Sequence, residues 1–167
     1  MVNPHNSFST FMMGEIKNRH RSLTLNVTSE LASVPYVIQS LEKFCMDLDF
    51  DRDLIHSLLI ATDEAITNII LHAYCGRTDG KIEVSFQLVR GDFIVQMMDY
   101  GKKFKPLRIR KKTRSGHLDR LRVGGYGLFL MDNLMDHIQF TYNNNEKANN
   151  LTMTKSLTPP RRSNKTL

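Results

Sequence analysis

A carboxylate and an amide stand four residues apart in the segment DEAITNIILHAY, at Glu64 and Asn68. On a helix this spacing places both side chains on one face, and His72 continues the same line one turn later. A carboxylate beside a neutral amide oxygen suits Mg²⁺, which takes one or two protein oxygens and fills its other positions with water and phosphates. The carboxylate could instead accept a proton from an attacking hydroxyl group. Taken alone, the same residues also fit a polar stripe on a solvated helix face.

Asp99 lies where an apolar stretch runs into the turn Tyr100-Gly101. Its carboxylate can accept a hydrogen bond from the amino group of a nucleobase. Glycine at the adjoining position lets the backbone approach a ligand closely. Taken alone, this segment is equally typical of an ordinary hairpin exit.

Three glycines precede an apolar run, in the order Gly124, Gly125, Tyr126, Gly127, Leu128. Glycines at a helix N-terminus present unpaired N–H groups and the positive end of the helix dipole to an anion such as phosphate. The segment is not a Walker loop, because no lysine followed by serine or threonine comes after the glycines, and it does not open a strand–helix–strand dinucleotide unit. By itself it indicates anion binding only weakly.

Hydrophobic periodicity indicates the elements that would position these segments. Residues 22–28 alternate as a strand, and Ser29 is placed to cap a first helix, in which Pro35 falls near the first turn or marks a later start. Asp51 predicts the N-cap of a long helix that ends at Cys75-Gly76. The remaining elements are two strands, a helix and two further strands, at residues 81–89, 92–100, 125–135, 137–142 and 150–157.

The order β–α–α–β–β–loop–α–β–β, with short turns between neighbouring strands, predicts a mixed, mostly antiparallel sheet covered on one face by helices. This is an α+β fold, a two-layer α/β sandwich. We expect a flexible N-terminal extension over residues 1–20, one domain over residues 21–157 and a disordered basic tail over residues 158–167.

The formal net charge of +6 is unevenly distributed. Residues 1–101 carry a net charge of −5, whereas residues 102–123 carry +9 in a loop without periodicity. Loops of this length are usually functional or disordered. The sequence has no run of about 18 apolar residues and no signal-peptide pattern. Its two cysteines, Cys45 and Cys75, suit small buried side chains in a reducing compartment, which together predicts a cytoplasmic globular protein.

In this order and spacing the three segments resemble the N, G1 and G2 boxes of the GHKL ATPase superfamily, whose ATP-binding domain has the Bergerat fold. The stretches EAITNIILHAY, DYGKKF and GGYGLFLM look like those of the anti-sigma-factor serine/threonine protein kinases of the RsbW and SpoIIAB type. The resemblance covers about residues 22–157.

The resemblance implies a role for each matching residue. Glu64 matches the general base, and Asn68 matches the residue that coordinates Mg²⁺ through its side-chain oxygen. Asp99 matches the aspartate that binds the adenine amino group, with Gly101 at the adjoining turn. Residues 102–124 match the ATP lid. Residues 124–128 match the family's segment on the phosphate side of the nucleotide. These residues are Gly124, Gly125, Tyr126, Gly127 and Leu128.

The activity implied is transfer of a phosphoryl group from ATP, with Mg²⁺, to a serine or threonine of a STAS-type anti-sigma-factor antagonist. A sigma factor is the second implied partner, and the implied assembly is a homodimer without a membrane partner.

The chain departs from the family pattern near the ends of two boxes. Lys105 stands between a phenylalanine and a proline where the relatives often have an acidic residue. The lid is unusually basic. Near the last strand the chain reads Asn149-Asn150-Leu151-Thr152, where many relatives have Gly-Thr and use the threonine in adenine recognition.

Other classes of function fit part of the same sequence. An ATP-gated regulatory binding module without kinase activity needs the same nucleotide-binding segments. Nucleic-acid binding would account for the basic loop, but aromatic residues, which stacking platforms interleave with positive charge, only flank this loop, at Phe104 and Tyr126. A histidine-kinase fragment is disfavoured, because about 20 residues before the first strand are too few for a helix pair carrying a phospho-accepting histidine.

Overall fold

The computed structural model of the protein describes residues 21–104 and 125–157. These ranges contain five strands and three helices. The strands are β1 (Arg21–Thr28), β2 (Lys81–Val89), β3 (Asp92–Asp99), β4 (His137–Asn143) and β5 (Ala148–Ser156). The helices are α1 (Ser33–Met46), α2 (Arg52–Asn68) and α3 (Gly125–Leu134), and α2 continues directly into a π-helical turn, Ile69–Ala73.

The five strands form one sheet in the order β1-β2-β3-β5-β4, and every neighbouring pair is antiparallel. The hairpin between β2 and β3 turns on Arg90 and Gly91, whose φ angles of 52° and 89° give the left-handed conformation that tight two-residue hairpins need. The predicted α+β class is confirmed. Because β5 lies between β3 and β4, the end of β3 faces the start of β5, with Asp99 directly opposite Asn149.

The core lies between the helices and one face of the sheet. Along β2 the alternate residues Ile82, Val84, Phe86 and Leu88 are buried, as period-two patterning requires of a strand with one covered face. Apolar side chains of α1 and α2 meet this face and are fully or almost fully buried: Val37, Leu41, Cys45, Leu58, Ala61, Ala65 and Ile66.

The start of the first helix differs from the sequence-based expectation. Helix α1 begins at Ser33 with Ala32 as its N-cap, so the prediction that Ser29 caps it is wrong. Ser29 is buried instead, donating a hydrogen bond to the Arg77 carbonyl oxygen at 2.5 Å and accepting one from the Gly80 N–H at 3.0 Å. Its hydroxyl group links the end of β1 to the loop before β2. A local capping pattern cannot predict a contact between residues so far apart in the sequence. Pro35 falls within the first turn of α1.

Both ends of the long helix agree with the prediction. The Asp51 side chain caps α2 by accepting a hydrogen bond from the Leu54 N–H at 2.8 Å. Beyond the helix, Gly76 has a φ angle of 88°, the left-handed conformation that glycine adopts without strain. The π-helical turn was not predicted, because five residues at the end of a helix are too few to alter a period recognised over about 11–18 residues.

The stretch Arg52–Ala73 is the one helix in residues 21–104 and 125–157 that is long and apolar enough to cross a membrane, judged by length and composition alone. Leu58, Ala61 and Ile66 on this helix are fully buried against the rest of the protein. A core helix of a folded domain meets the same criterion.

The two cysteines have different environments. Cys45 is fully buried, and its burial raises the pKa of the thiol to about 12. Cys75 is exposed at the end of the long helix, with a φ angle of 54°. The prediction of buried cysteines therefore holds for Cys45 and is wrong for Cys75, because the chain turns away from the core at this point.

The predicted N-terminal extension and basic tail lie outside the described residues. The same is true of the lid from residue 105 to residue 124, including Gly124.

Candidate functional site

A cavity of about 190 Å³ brings the three chemically suggestive segments together. Asn68 of α2, Asp99 at the end of β3 and Leu128 of α3 all line it. Its remaining walls come from the π-helical turn and from the hairpin formed by β4 and β5. Residues about 60 positions apart along the chain thus face one space.

At one end of the site, α3 lies almost in contact with the polar face of α2. A Cβ atom built on Gly127 would stand 2.3 Å from Glu64 Oε2 and 3.1 Å from Asn68 Nδ2. Only glycine allows this approach without displacing a neighbour. Since Gly127 lies in the first turn of α3, the helix end whose N–H groups lack intrahelical partners adjoins a carboxylate and an amide. This is a setting for an anion and a bound cation.

The nitrogen of the Asn68 amide is the polar atom of interest at this end of the site. This Nδ2 atom is buried and has no hydrogen bond to any residue in the described ranges. An unsatisfied buried amide costs about 1–3 kcal/mol, and such groups in proteins are usually paired with water, an ion or a ligand. The polar environment is therefore suited to a ligand at this end of the site.

At the other end, Asp99 is almost completely buried, with 3% of its surface exposed. Its Oδ1 atom accepts hydrogen bonds from the Gly101 N–H at 2.9 Å and from Asn149 Nδ2 at 2.8 Å. Burial raises the pKa of the carboxyl group above its usual value, and the hydrogen bonds from Asn149 and Gly101 partly oppose this. Among the described residues none donates to Oδ2, so this oxygen is available to a donor on a ligand.

Gly101 brings the turn after β3 against the end of the long helix. A Cβ atom at Gly101 would lie 2.7 Å from both the carbonyl carbon and the oxygen of Ala73. The Lys102 N–H donates to that oxygen at 2.8 Å. The π-helical turn ends there, with the Tyr74 N–H bonded to the Ile69 carbonyl at 3.2 Å, and turns of this kind often occur at functional sites.

Tyr74 stabilises the turn after β3 from its other side. Its hydroxyl accepts a hydrogen bond from the Tyr100 N–H at 2.9 Å and donates to the Lys81 carbonyl oxygen. Its ring occupies the space that a side chain at Gly80 would need. Sequence reasoning did not single out Tyr74, although it ends the segment that carries Glu64 and Asn68.

Asn149 was noted in the sequence only as a departure from a family pattern. It is buried beside Asp99, and its amide also donates to the Lys102 carbonyl at 3.2 Å and accepts from the Phe104 N–H at 2.9 Å. Its side chain therefore links Asp99 to the turn that follows β3. That departure was the one signal that could have identified it.

An aromatic and apolar wall completes the cavity. The Phe104 and Phe140 rings lie 4.7 Å apart, and Lys103 Nζ is 4.1 Å from the centre of the Tyr142 ring. Leu128 and the buried Met131 line the side formed by α3. A mostly apolar space with one buried carboxylate acceptor suits a ligand that has an apolar face and a hydrogen-bond donor.

The predicted site residues are thus distributed in two groups. Glu64, Asn68 and Gly127 meet at one end, and Asp99 and Gly101 at the other. Helix α3 begins at Gly125 and includes Tyr126, and Leu128 lines the cavity. His72 is exposed and lines the cavity at the π-helical turn.

Comparisons with known proteins identify the family and the fold of the chain. Residues 27–155 match the model of the histidine kinase-like ATPase domain family. The chain is 32% identical over 128 residues to the serine-protein kinase RsbW of Listeria innocua, which covers 74% of this chain and 81% of the relative. It is 29% identical over 146 residues to the serine-protein kinase RsbW of Bacillus subtilis, covering 85% and 89%.

A solved structure shows the same fold. The crystal structure of the RsbU and RsbW domains of a Mycobacterium tuberculosis protein superimposes with a TM-score of 0.60 at 17% identity. The match covers 84% of this chain and spans about a third, 33%, of that longer chain.

Proposed function

The chain belongs to the histidine kinase-like ATPase domain family and is related to the RsbW serine-protein kinases, and from this premise we propose that it phosphorylates a serine or threonine of a partner protein with ATP. The observation that supports the proposal is the close approach of Gly127 in α3 to Glu64 and Asn68 of α2. It lies beside a cavity that Asn68, Leu128 and Asp99 line. In this proposal Glu64 is the general base, the first turn of α3 binds the phosphates, and Asp99 accepts a hydrogen bond from the nucleobase.

Each residue has a chemical task in this proposal. The Asp99 Oδ2 atom accepts a hydrogen bond from the adenine amino group, and the aromatic wall contacts the base. The N–H groups in the first turn of α3 face the phosphates. The Glu64 carboxylate accepts the proton of the attacking hydroxyl group. Catalysis of this kind depends mostly on positioning and on stabilising the charge that develops on the phosphates.

The residues also fit a magnesium ion. The Asn68 side chain would hold it through its amide oxygen, as the resemblance to the family implies. Its buried Nδ2 atom, which has no hydrogen-bond partner in the described ranges, would donate to an oxygen of the ligand. Within those ranges no three His, Cys, Asp or Glu residues cluster as a metal site, which suits a metal bound largely through substrate phosphates and water. When bound, Mg²⁺ neutralises charge on the phosphates of ATP.

The partners follow from the relationship to RsbW kinases. We propose that the protein substrate is a STAS-type anti-sigma-factor antagonist, that a sigma factor is the second partner, and that the protein acts as a cytoplasmic homodimer. The relatives named as serine-protein kinases support a protein as the phosphate acceptor.

Glu64→Gln tests the catalytic assignment. The substitution keeps the shape of the side chain and removes its basicity, so we expect transfer of radiolabelled phosphate from ATP to the cognate antagonist to fall at least about a hundredfold. ATP affinity, measured by calorimetry, should change less than about threefold. The matched control is Asp63→Asn, which removes the neighbouring exposed carboxylate of the same helix and should leave transfer unchanged.

Two outcomes would contradict the proposal. Unchanged transfer in Glu64→Gln would remove Glu64 from the role of base. A native protein that retains its partner in the presence of ATP, yet transfers no phosphate, would be an ATP-gated binding module instead.

A further inference from the structure

The buried side-chain amide of Asn149 links Asp99 to the turn after β3. Both lie at the end of the cavity where we propose that the nucleobase binds, here called the base end. Asn149 lies on β5 opposite Asp99 of β3 in the strand register and is 6% exposed. Its Nδ2 atom donates to Asp99 Oδ1 at 2.8 Å and to the Lys102 carbonyl oxygen at 3.2 Å. Its Oδ1 atom accepts from the Phe104 N–H at 2.9 Å. One side chain thus ties the buried carboxylate to the turn that follows β3.

These bonds determine what the cavity offers a ligand. A side-chain amide has two N–H donors, and Asn149 uses both within the protein. Asp99 Oδ1 is occupied by Asn149 and by the Gly101 N–H. The base end therefore presents an acceptor, Asp99 Oδ2, and Asn149 has no N–H left to donate. A nucleobase with an amino group at this position can donate a hydrogen bond to Asp99 Oδ2. A nucleobase with a carbonyl group there would instead place a second acceptor against the carboxylate.

We propose that Asn149 is a positioning residue that sets base selectivity, by holding the Asp99 carboxylate so that Oδ2 faces the amino group of the base. This inference rests on the nucleotide site proposed above and goes beyond it, since it assigns selectivity to a residue outside the three motifs. The terminal torsion of an aspartate is broad, so a carboxylate without a second partner can turn either oxygen toward the ligand or toward Gly101.

The turn after β3 keeps other anchors when Asn149 is absent. Phe104 stacks on Phe140, Lys103 lies over the Tyr142 ring, and the Lys102 N–H is bonded to Ala73. Among the described residues, by contrast, Asp99 would keep only the hydrogen bond from the Gly101 N–H. Loss of the Asn149 amide should therefore disturb the orientation of the carboxylate more than the fold of the turn.

Calorimetric binding of ATP and of inosine triphosphate to the native protein and to Asn149→Ala tests the proposal. Inosine triphosphate has a carbonyl group where adenine has its amino group. We expect the native protein to prefer ATP by at least about tenfold. In Asn149→Ala, ATP affinity should fall about ten- to a hundredfold, as expected when a hydrogen bond to a charged group is lost, and the preference should shrink to within about threefold.

The matched control is Asn143→Ala in the same hairpin. The Asn143 amide bonds only within the β4–β5 turn, to Glu146 and to the N–H groups of Asn145 and Glu146. This variant loses a comparable side chain without touching Asp99, so it should keep the full preference for ATP. A general loss of folded protein would lower both affinities together and leave their ratio unchanged.

Asn149→Asp provides a second test that does not depend on the stability of the alanine variant. It keeps the shape of the side chain and replaces the donor to Asp99 by a second carboxylate. Two carboxyl groups at hydrogen-bond distance share a proton more readily as the pH falls. We expect ATP affinity below that of the native protein at pH 8, with recovery of at least about fivefold at pH 6 relative to the native protein.

The outcomes separate this proposal from the one it rests on. A native protein that binds neither nucleotide overturns both. A native protein that prefers ATP, together with an Asn149→Ala variant that keeps the same preference, overturns the role of Asn149 and leaves the nucleotide site intact. A loss in Asn149→Asp that does not vary with pH also contradicts the proposal.

Discussion

A buried carboxylate is the most informative single residue of this protein. Asp99 is 3% exposed, and its Oδ1 atom accepts both of the hydrogen bonds that described residues donate to the carboxylate. Burying a charged group without an opposite charge is unfavourable for folding, and this cost is consistent with a residue retained for binding. The raised pKa of Asp99 has the same cause, since burial disfavours the ionised form.

Asp99→Asn should separate stability from binding. Because the folded pKa of Asp99 is raised above 3.8, the native state binds more protons than the unfolded state in the window between the two values. The free energy of unfolding contributed by Asp99 therefore falls as the pH rises through this window. Asparagine removes this dependence. We expect urea unfolding to show little difference between the proteins below about pH 4 and a more stable variant at pH 7.

The same variant should lose nucleotide affinity at pH 7, by about ten- to a hundredfold, because an amide N–H replaces the acceptor that meets the adenine amino group. Calorimetric titration with ATP measures this effect. A variant that is less stable at pH 7 and binds ATP normally would contradict both the burial cost and the recognition role.

At the scale of elements, the site depends on two close approaches that only glycine allows. The turn after β3 rests on the π-helical turn through Gly101, and α3 rests on α2 through Gly127. The atoms in contact differ. At Gly101 they belong to the Ala73 backbone, which cannot move alone, whereas at Gly127 the nearest atom ends the flexible Glu64 side chain.

Gly101→Ala should therefore shift the turn. The added methyl group overlaps the Ala73 carbonyl at 2.7 Å, and overpacking of this kind typically costs about 1–3 kcal/mol. We expect a loss of that size in urea unfolding, together with weakened ATP binding. Gly76→Ala is the control, because nothing lies within 4 Å of its added atom while its φ angle of 88° still strains alanine. It should lose stability by about 1–2 kcal/mol and keep ATP affinity.

Gly127→Ala should lower phosphoryl transfer much more than it lowers the free energy of unfolding. The methyl group would displace the Glu64 carboxylate from its position 2.3 Å away, so phosphoryl transfer should fall at least about tenfold with little change in the free energy of unfolding. A double-mutant cycle with Glu64→Gln checks the mechanism. If Glu64 mediates the effect, Gly127→Ala will cost little further activity in the Glu64→Gln background. Additive losses would point to a separate defect in α3.

At the scale of the whole molecule, the strand order creates the site. Strand β5 enters the sheet between β3 and β4, which sets Asn149 opposite Asp99 although they are 50 residues apart. The helices lie over the same face, so α3 reaches α2 across the end of the cavity. The match to the RsbW domain structure shows that this architecture is shared at only 17% identity.

Much of the secondary structure, and the motifs themselves, could be predicted from the sequence. Periodicity and turn residues indicated every described strand and α-helix, although not the start of α1 or the π-helical turn, and Asp51 was correctly identified as the cap of α2. These features depend on hydrogen bonds and burial within a few residues, which local patterns record. The motif residues were also identifiable, because their types and order are characteristic of one superfamily.

The contacts that make these residues a site were decided only by the tertiary structure. Ser29 looks like a helix cap locally but bonds to a loop 48 residues away. Asn149 looks like part of a polar turn but lies in β5, buried against Asp99. Both outcomes depend on which elements become neighbours, and no local period specifies strand order or the distance between packed helices. The sequence by itself determined which residues could do the chemistry, and the packing of the sheet and helices determined which of them meet.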